Sequence, residues 1–184
     1  MQIIEDIIGL FAERGDSLYG GELISQRDHA LQAAMLAENE NATPVLIVAT
    51  LLHDIGHLVH DLPEDSSNRG VDDKHESLGE AYLESAFGIA VAAPVRLHVA
   101  AKRYLCAVED GYLERLSEAS QISLGLQGGP FTMEEINDFE SLSHWMDAVR
   151  LRRWDDLAKV EGMVTPSVDH FKGYMETVLE MQQI

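Results

Sequence analysis

The segment LLHDIGH at residues 51–57 carries three polar side chains in an otherwise apolar stretch of the chain. His53 and Asp54 are adjacent, and His57 follows one helical turn after His53. A buried carboxylate is costly unless a cation or a dense hydrogen-bond network compensates it. A chain with this segment must therefore fold around a compensating group, and a divalent or trivalent metal ion is the simplest one.

Apolar residues recur at three- and four-residue spacing along nearly the whole chain, without the sustained alternation of β-strands. This periodicity predicts an all-α protein. We expect helices at about residues 2–14, 26–40, 44–56, 73–86, 92–105, 110–118, 132–138, 139–159 and 167–182. Thr43 and Pro44 form an N-cap and first-turn pair for the third helix. The polar stretch 57–73 is expected to be a long loop, and loops of that length often serve as lids or binding elements.

Length and composition indicate a single domain over residues 1–184. A chain of 184 residues suits one well-filled core, and no Pro- or Gly-rich linker divides it. The single cysteine, Cys106, allows no internal disulfide, and the N-terminus lacks the cationic start of a secretory signal. No apolar run approaches the roughly 20 residues of a membrane-spanning helix. We therefore expect a cytoplasmic protein without membrane insertion.

The net charge is −19, which repels phosphate backbones and argues against nucleic-acid binding. Seven of the 13 Lys and Arg residues nevertheless fall in two short segments: Arg96, Lys102 and Arg103 in one, and Arg150, Arg152, Arg153 and Lys159 in the other. Each cation taken alone fits a salt bridge on a helix face. Together they indicate a local anion site in an acidic protein. The sequence leaves the oligomeric state open.

Imidazole and carboxylate side chains recur in an order that supplies more ligands than one metal needs. The candidate ligands are His29, His53, Asp54, His75, His98 and either Asp155 or Asp156. Six ligands fit two metals, and a carboxylate such as Asp54 can bridge two ions. Oxygen and imidazole ligands favour iron, manganese or zinc over copper(I), so Cys106 is not needed. The remaining histidines outside LLHDIGH are assigned to surface or packing roles: His60, His144 and His170.

The pattern of His29, then His53-Asp54, then a distant Asp155 resembles the HD-domain superfamily, and the resemblance implies an HD-domain helical bundle. WDDLAK resembles the FDxxxK pattern of the inositol oxygenase branch, which favours Asp155 as the last ligand. Asp156 stays an alternative that points about 100° away on a helix. Histidines inserted between the paired motif and the last Asp are typical of dinuclear members, both phosphohydrolases and mixed-valent di-iron oxygenases.

Three further segments are similar to those of the phosphonate-catabolic HD oxygenases, which cleave the carbon–phosphorus bond of 1-hydroxyphosphonates: SLYGGELISQRDHALQAA, LHVAAKRYLCA and LRRWDDLAKV. The resemblance implies that Tyr19 and Glu22 lie on a loop over the site. Tyr19 would occupy an iron position until substrate displaces it. Glu22 could meet a cation on the substrate.

The same resemblance implies roles for the polar residues around the metals. Lys102 and Arg152 would hold the phosphonate, as an ammonium and a guanidinium are its natural partners in a desolvated pocket. His57 would assist, either touching substrate or supporting a ligand. Hydrogen bonds to substrate and proximity to it are implied for three more residues: Gln26, Ser120 and Ser123. The residues implied to take part in catalysis are Tyr19, Glu22, His57 and Lys102.

The activity implied is that of a mixed-valent di-iron oxygenase, which uses O2 to release phosphate from a 1-hydroxy-2-(amino or trimethylammonio)ethylphosphonate. Glycine or glycine betaine would be the second product, and the head group stays open. One alternative is a dinuclear HD phosphohydrolase, in which a metal-bound hydroxide attacks a phosphate ester. A metal-dependent sensor or binding module is the other, and a missing ligand would favour it.

Overall fold

The computed structural model describes residues 2–19, 22–59 and 74–183. These ranges are helical, and their β-structure is limited to an isolated antiparallel bridge between Leu18 and Ser25. The helices are α1 (Gln2–Arg14), α2 (Gln26–Asn39), α3 (Pro44–Leu51), α4 (Ile55–Val59), α5 (His75–Phe87), α6 (Ile89–Val108), α7 (Tyr112–Arg115), α8 (Glu118–Leu126), α9 (Met133–Glu140), α10 (Trp145–Leu157) and α11 (Lys172–Met181). A short 3-10 helix, Val168–Phe171, precedes α11. The all-α prediction is confirmed.

The predicted helix 44–56 is wrong in one respect, because the chain turns between α3 and α4. His53 and Asp54 lie in that turn, and the Ile55 N–H donates to the Leu52 carbonyl at 3.1 Å. Adjacent residues of a continuous helix point about 100° apart. The turn changes this geometry, so that both side chains face one point.

Three other predicted boundaries also differ. The predicted helix 139–159 starts only at Trp145, after a turn in which His144 has a φ of 66°. The predicted helix 110–118 is the short α7, and α8 follows it as a separate helix. The predicted loop 57–73 begins inside α4, and the rest of it, including His60, lies outside the described residues.

The buried apolar side chains form two clusters. Among the described residues, the first cluster contains side chains of α1 through α5, of the start of α6, and of α10 and α11. The second cluster contains side chains of the rest of α6, of α7, α8 and α9, and of the first turn of α10. Along α6, Val95 belongs to the first cluster and Ala101 to the second, and His98 falls between them. A polar site can therefore sit at the junction of the clusters without interrupting either of them.

Gly56 explains how closely α4 approaches the start of α5. A Cβ added to Gly56 would overlap the carbonyl oxygen of His75. Only a residue without a side chain allows this approach. The glycine of LLHDIGH thus brings the main chain of His75 to the turn that carries His53 and Asp54.

None of the helices in the described ranges combines the length and the apolar character that crossing a lipid bilayer requires.

Candidate metal centre and anion pocket

The six predicted ligands come from different parts of the chain and meet inside the bundle. His29 lies on α2, His98 on α6 and Asp155 on α10, whereas His75 begins α5. Their exposed fractions are 8% or less: His29 0%, His53 0%, Asp54 6%, His75 8%, His98 2% and Asp155 1%. Six polar side chains at this depth require compensation within the protein.

His29 and His53 form the first half of the centre. Their Nε2 atoms lie 3.1 Å apart. Each ring uses Nδ1 to donate a hydrogen bond to a carbonyl, His29 to Ala158 and His53 to Thr50, both at 2.8 Å. With the proton on Nδ1, both Nε2 atoms present lone pairs to one another. Two such lone pairs repel unless a cation lies at their meeting point.

His75 and His98 form the second half. Their Nε2 atoms lie 3.2 Å apart, and His98 Nδ1 donates to the Val95 carbonyl at 2.6 Å. Burial lowers the pKa of His98 to about 3, so its imidazole is neutral at physiological pH. Burial also lowers the pKa of His53. Neutral imidazole is the form in which histidine binds a metal.

Asp54 lies between the two histidine pairs and gives one oxygen to each. Oδ2 is 3.6 Å from His29 Nε2 and 3.4 Å from His53 Nε2. Oδ1 is 3.3 Å from His75 Nε2 and 3.5 Å from His98 Nε2. Oδ1 is buried and accepts no hydrogen bond from any described residue. A carboxylate in this position can bridge two metal ions.

The donor set fits two metal ions. The ligand atoms of His29, His53 and Asp54 lie within 4.8 Å of one another, and so do those of Asp54, His75 and His98. Burial would raise the pKa of the Asp54 carboxyl, but its histidine neighbours, His53 foremost, hold it well below its usual range. Ionised carboxylate and neutral imidazole suit iron, manganese or zinc.

The structure distinguishes the two candidates for the last ligand. Asp155 Oδ1 is 3.3 Å from His29 Nε2, and Asp155 Oδ2 is 4.0 Å from His53 Nε2. Asp156 instead accepts hydrogen bonds from Tyr112 and Arg152. Asp155 is therefore the carboxylate that faces the first histidine pair, which is the arrangement that the spacing of WDDLAK favours.

Tyr19 lies directly on the first half of the centre. Its ring stacks on His29 with centroids 3.8 Å apart, and its hydroxyl donates to Asp155 Oδ1 at 3.3 Å. Burial, and then the charge of Asp155, raise the pKa of Tyr19 well above its ordinary value. The loop that carries Tyr19 is fastened by a bond from the Tyr19 N–H to the Ile24 carbonyl at 2.9 Å. The Tyr19 hydroxyl thus lies beside two of the candidate ligands, His29 and Asp155.

Two lysines and two serines form a polar cluster beside the centre, which we call the anion pocket: Lys102, Lys159, Ser120 and Ser123. Lys102 Nζ donates to Ser123 Oγ at 2.7 Å, and Lys159 Nζ donates to Ser120 Oγ at 2.9 Å. Lys102 is 3% exposed, and burial followed by the charge of Arg152 lowers its pKa to about 7. Two ammonium groups with two hydroxyls in a desolvated space suit a dianion.

Arg152 is buried and already makes two ion pairs. Nη1 lies 2.7 Å from Asp155 Oδ2, and Nη2 pairs with Asp156 Oδ1. Its Nε is buried without a hydrogen-bond partner among the described residues. Burial would lower the pKa of Arg152, but Asp155 and Asp156 raise it well above its ordinary value, so the guanidinium stays charged. The Nε–H is therefore a buried donor that a substrate anion could use.

The other predicted residues lie at the edge of the centre. The His57 ring stacks on His75 with centroids 4.1 Å apart. Gln26 is 7% exposed, and its Oε1 has no hydrogen-bond partner among the described residues. Glu22 Oε1 lies 3.9 Å from Lys159 Nζ. Away from the centre, His170 pairs with Glu38 at 2.8 Å, in agreement with a surface role.

Two residues support the site without having had a predicted role of their own, although Lys159 was one of the seven clustered cations. Lys159 completes the anion pocket, and its place four residues after Asp155 in WDDLAK was the available signal. Gln32 is 1% exposed and bonds to both main-chain groups of Val160, donating at 2.8 Å and accepting at 3.0 Å. Gln32 thereby fixes the segment that carries Lys159. No local pattern distinguishes Gln32 from an ordinary helix residue.

Comparison with known proteins identifies relatives over nearly the whole chain, although no family model matches it. A hydroxymethylphosphonate dioxygenase of Gimesia maris is 44% identical over 178 residues, covering 96% of this chain and 88% of the relative. A glycine-betaine-forming 1-hydroxy-2-(trimethylamino)ethylphosphonate dioxygenase of Leisingera caerulea is 40% identical, covering 97% and 91%. An uncharacterized protein of Acanthamoeba polyphaga mimivirus is 35% identical, covering 95% and 81%. At these identities the chain belongs to the family of phosphonate dioxygenases, whose motifs its sequence resembles.

Proposed function

We propose that this protein is a di-iron oxygenase that cleaves the carbon–phosphorus bond of a small 1-hydroxyphosphonate with O2. The observation that carries the proposal is the position of Asp54 between two histidine pairs, beside a pocket with two lysines. The first feature supports a dinuclear metal centre, and the second supports a dianionic substrate. The family membership supports the oxygen chemistry.

In this proposal His29, His53 and Asp155 would hold one iron, His75 and His98 would hold the other, and Asp54 would be shared between them. The iron pair, in its mixed-valent Fe(II)/Fe(III) form, would supply the redox chemistry with O2. The protein contributes fixed ligand geometry, because hydrogen bonds from Nδ1 orient the rings of His29, His53 and His98. No thiolate competes for the metals, since Cys106 is not among the ligands.

The anion pocket would bind the phosphonate group. Lys102 and Lys159 would supply two positive charges, and Ser120 and Ser123 would supply hydroxyl donors once the phosphonate displaces them from the lysines. Charge-assisted hydrogen bonds in a buried site are stronger than those between neutral groups. The pocket would thus hold carbon 1 and its hydroxyl toward the metals and would exclude water from the lysines.

The overall reaction consumes one O2 and forms a carboxylic acid and phosphate. Carbon 1 is oxidised from the level of an alcohol to that of an acid, O2 is reduced, and the carbon–phosphorus bond breaks. An aminohydroxyethylphosphonate would give glycine, and its trimethylammonio analogue would give glycine betaine. Hydroxymethylphosphonate, named in one relative, would give formate.

Glu22 and Tyr19 would contact the rest of the substrate. Glu22 Oε1 is buried, accepts no hydrogen bond from the described residues and lies 3.9 Å from Lys159 Nζ, so a cationic head group would take the place of this weak ion pair. Tyr19 donates to Asp155 and would have to leave that position when a substrate binds the first iron. His57 and Gln26 would line the remaining edge.

The test is a spectroscopic titration of iron-loaded, partly reduced protein. We expect an EPR signal of a mixed-valent iron pair that shifts when hydroxymethylphosphonate, 2-amino-1-hydroxyethylphosphonate or its trimethylammonio analogue is added. The compound that shifts the signal at the lowest concentration identifies the head group. A signal that responds only to phosphate esters, with hydrolysis of those esters in the absence of O2, would support the phosphohydrolase alternative instead.

A further inference from the structure

A second carboxylate balances the charge of Arg152 next to the candidate metal centre. Arg152 pairs with Asp155 through Nη1 at 2.7 Å and with Asp156 through Nη2. The side chains of Arg152 and Asp155 are 4% and 1% exposed, and that of Asp156 is 19% exposed. One buried cation between two anions leaves a net charge of about −1 on the group. Asp155 is the anion that faces the histidines.

Tyr112 fixes the other side of Asp156. Its hydroxyl donates to Asp156 Oδ2, while Arg152 donates to Oδ1, so both oxygens of the carboxylate have a defined partner. Tyr112 comes from α7, and the residue is 5% exposed within the second apolar cluster. The tyrosine therefore reaches Asp156 from a different helix than α10, which carries Arg152 and Asp156.

Asp156 has competing cations on its outer side. It lines a cavity of about 310 Å³ together with Tyr112 and three arginines, Arg115, Arg150 and Arg153, of which Arg115 and Arg153 pair with Glu109. The Asp156 carboxylate could turn outward to this cationic side, where Arg150 lies, and leave Arg152 with Asp155 alone. The hydroxyl of Tyr112 opposes that rotation, because it holds Oδ2 in place.

We propose that Tyr112 and Asp156 are positioning residues that hold Arg152 away from an exclusive ion pair with Asp155. The proposal rests on the proposed metal-binding role of Asp155. Without Asp156, Arg152 would bind Asp155 alone and compete with the metal for its carboxylate. Groups that support metal ligands in this way are typically worth about 10- to 100-fold in metal affinity.

The experiment measures iron retention in Tyr112→Phe, Asp156→Asn and the double variant. Each iron-loaded protein is challenged with a graded concentration of an iron chelator, and the iron per chain and the EPR spectrum are recorded. We expect iron affinity to fall about tenfold or more in Asp156→Asn and by a smaller factor in Tyr112→Phe. The double variant should lose no more iron affinity than Asp156→Asn alone, since both residues act through the carboxylate of Asp156.

Tyr174→Phe is the matched control. Tyr174 also donates its hydroxyl to a carboxylate, Glu38, at 2.6 Å, but this pair lies away from the centre. We expect Tyr174→Phe to keep its iron and its spectrum. Equal iron loss in Tyr174→Phe and Tyr112→Phe would overturn the proposal, because the effect would then be a general loss of stability.

Two other results would also overturn the proposal. One is unchanged iron retention in Tyr112→Phe. The other is a loss of iron affinity in the double variant that equals the sum of the losses in the two single variants. Tyr112→Phe removes one hydroxyl and keeps the ring in the core, so it tests the proposal even if Asp156→Asn does not fold. No substrate is used. A protein that fails to oxidise phosphonates but loses iron in these variants would refute the proposed function and leave this inference intact.

Discussion

Gly56 lies against the main chain of His75, where an added Cβ would overlap the His75 carbonyl oxygen. The contact joins α4 to the start of α5. Because the atoms that an added Cβ would meet belong to the main chain, a side chain at position 56 would require one of the two helices to move. His75 is a candidate ligand of the second metal. The smallest residue of LLHDIGH is thus linked to the geometry of a ligand outside that segment.

Gly56→Ala should therefore displace His75 and weaken the second metal site. We expect a destabilisation of about 1–3 kcal/mol from overpacking, together with the loss of up to one iron per chain. Metal analysis and thermal unfolding measure the two effects. Gly9→Ala is the control, because Gly9 lies in α1 with open space around it, and this change should stabilise the helix by about 0.5–1 kcal/mol. Full iron content in Gly56→Ala would show that the close approach does not position His75.

His98→Ala should reduce the metal content from two ions per chain to one. The change removes one ligand of the second half and leaves His29, His53 and Asp54 in place. Elemental analysis of protein purified with excess iron gives the count. His170→Ala, which alters a surface pair with Glu38, should keep both ions. Two tightly held ions in His98→Ala would contradict the ligand assignment.

Substrate capture should weaken above neutral pH, because the pKa of Lys102 is lowered to about 7. The ammonium carries its charge below that pH and loses it as the pH rises through 7, so kcat/KM for a phosphonate should fall on the alkaline side. Lys102→Arg provides the comparison, since a guanidinium stays charged over this range. In Lys102→Arg, kcat/KM should therefore not fall as the pH rises through 7. If kcat/KM fell in the same way above neutral pH in both proteins, Lys102 would be excluded as the titrating group.

Lys159→Met should raise KM for the phosphonate by about tenfold or more, because a charge-assisted hydrogen bond contributes about 1.5–3 kcal/mol. Its effect on iron content should be small, since Lys159 is not among the ligands. Lys172→Met removes an equal charge at an exposed pair with Glu5 and should leave KM unchanged. Steady-state kinetics under air measures both. An equal rise in KM in both variants would contradict the prediction, because the loss of overall charge, and not of a contact in the anion pocket, would then explain the change.

Most of the helices and the clustering of the six candidate ligands were predictable from residue order. Helix periodicity reveals α1, α2, α5 and α6, because each buries an apolar face. The break between α3 and α4 was not predictable in this way, since the segment 44–56 reads as one apolar helix. Tertiary contacts explain the break, because the turn allows His53 to meet His29 while the neighbouring Asp54 reaches His75.

The surroundings of the ligands were harder to infer. Lys102, Ser120 and Ser123 were implied by resemblance. Lys159 was one of seven clustered cations, and only its hydrogen bond to Ser120 distinguishes it as a member of the anion pocket. The ion pairs of Arg152 with Asp155 and Asp156 depend on burial, and a sequence does not distinguish a buried arginine from an exposed one. Tyr112 approaches Asp156 across 44 positions of the chain, a distance that no local pattern spans.

The ratio of O2 consumed to phosphate released tests the proposed function most directly. Iron-loaded protein is mixed with the hydroxyphosphonate that shifts its EPR signal, and an oxygen electrode and a phosphate assay follow the same reaction. The proposal predicts one phosphate for each O2 and no phosphate under anaerobic conditions. Phosphate released at the same rate without O2 would contradict it.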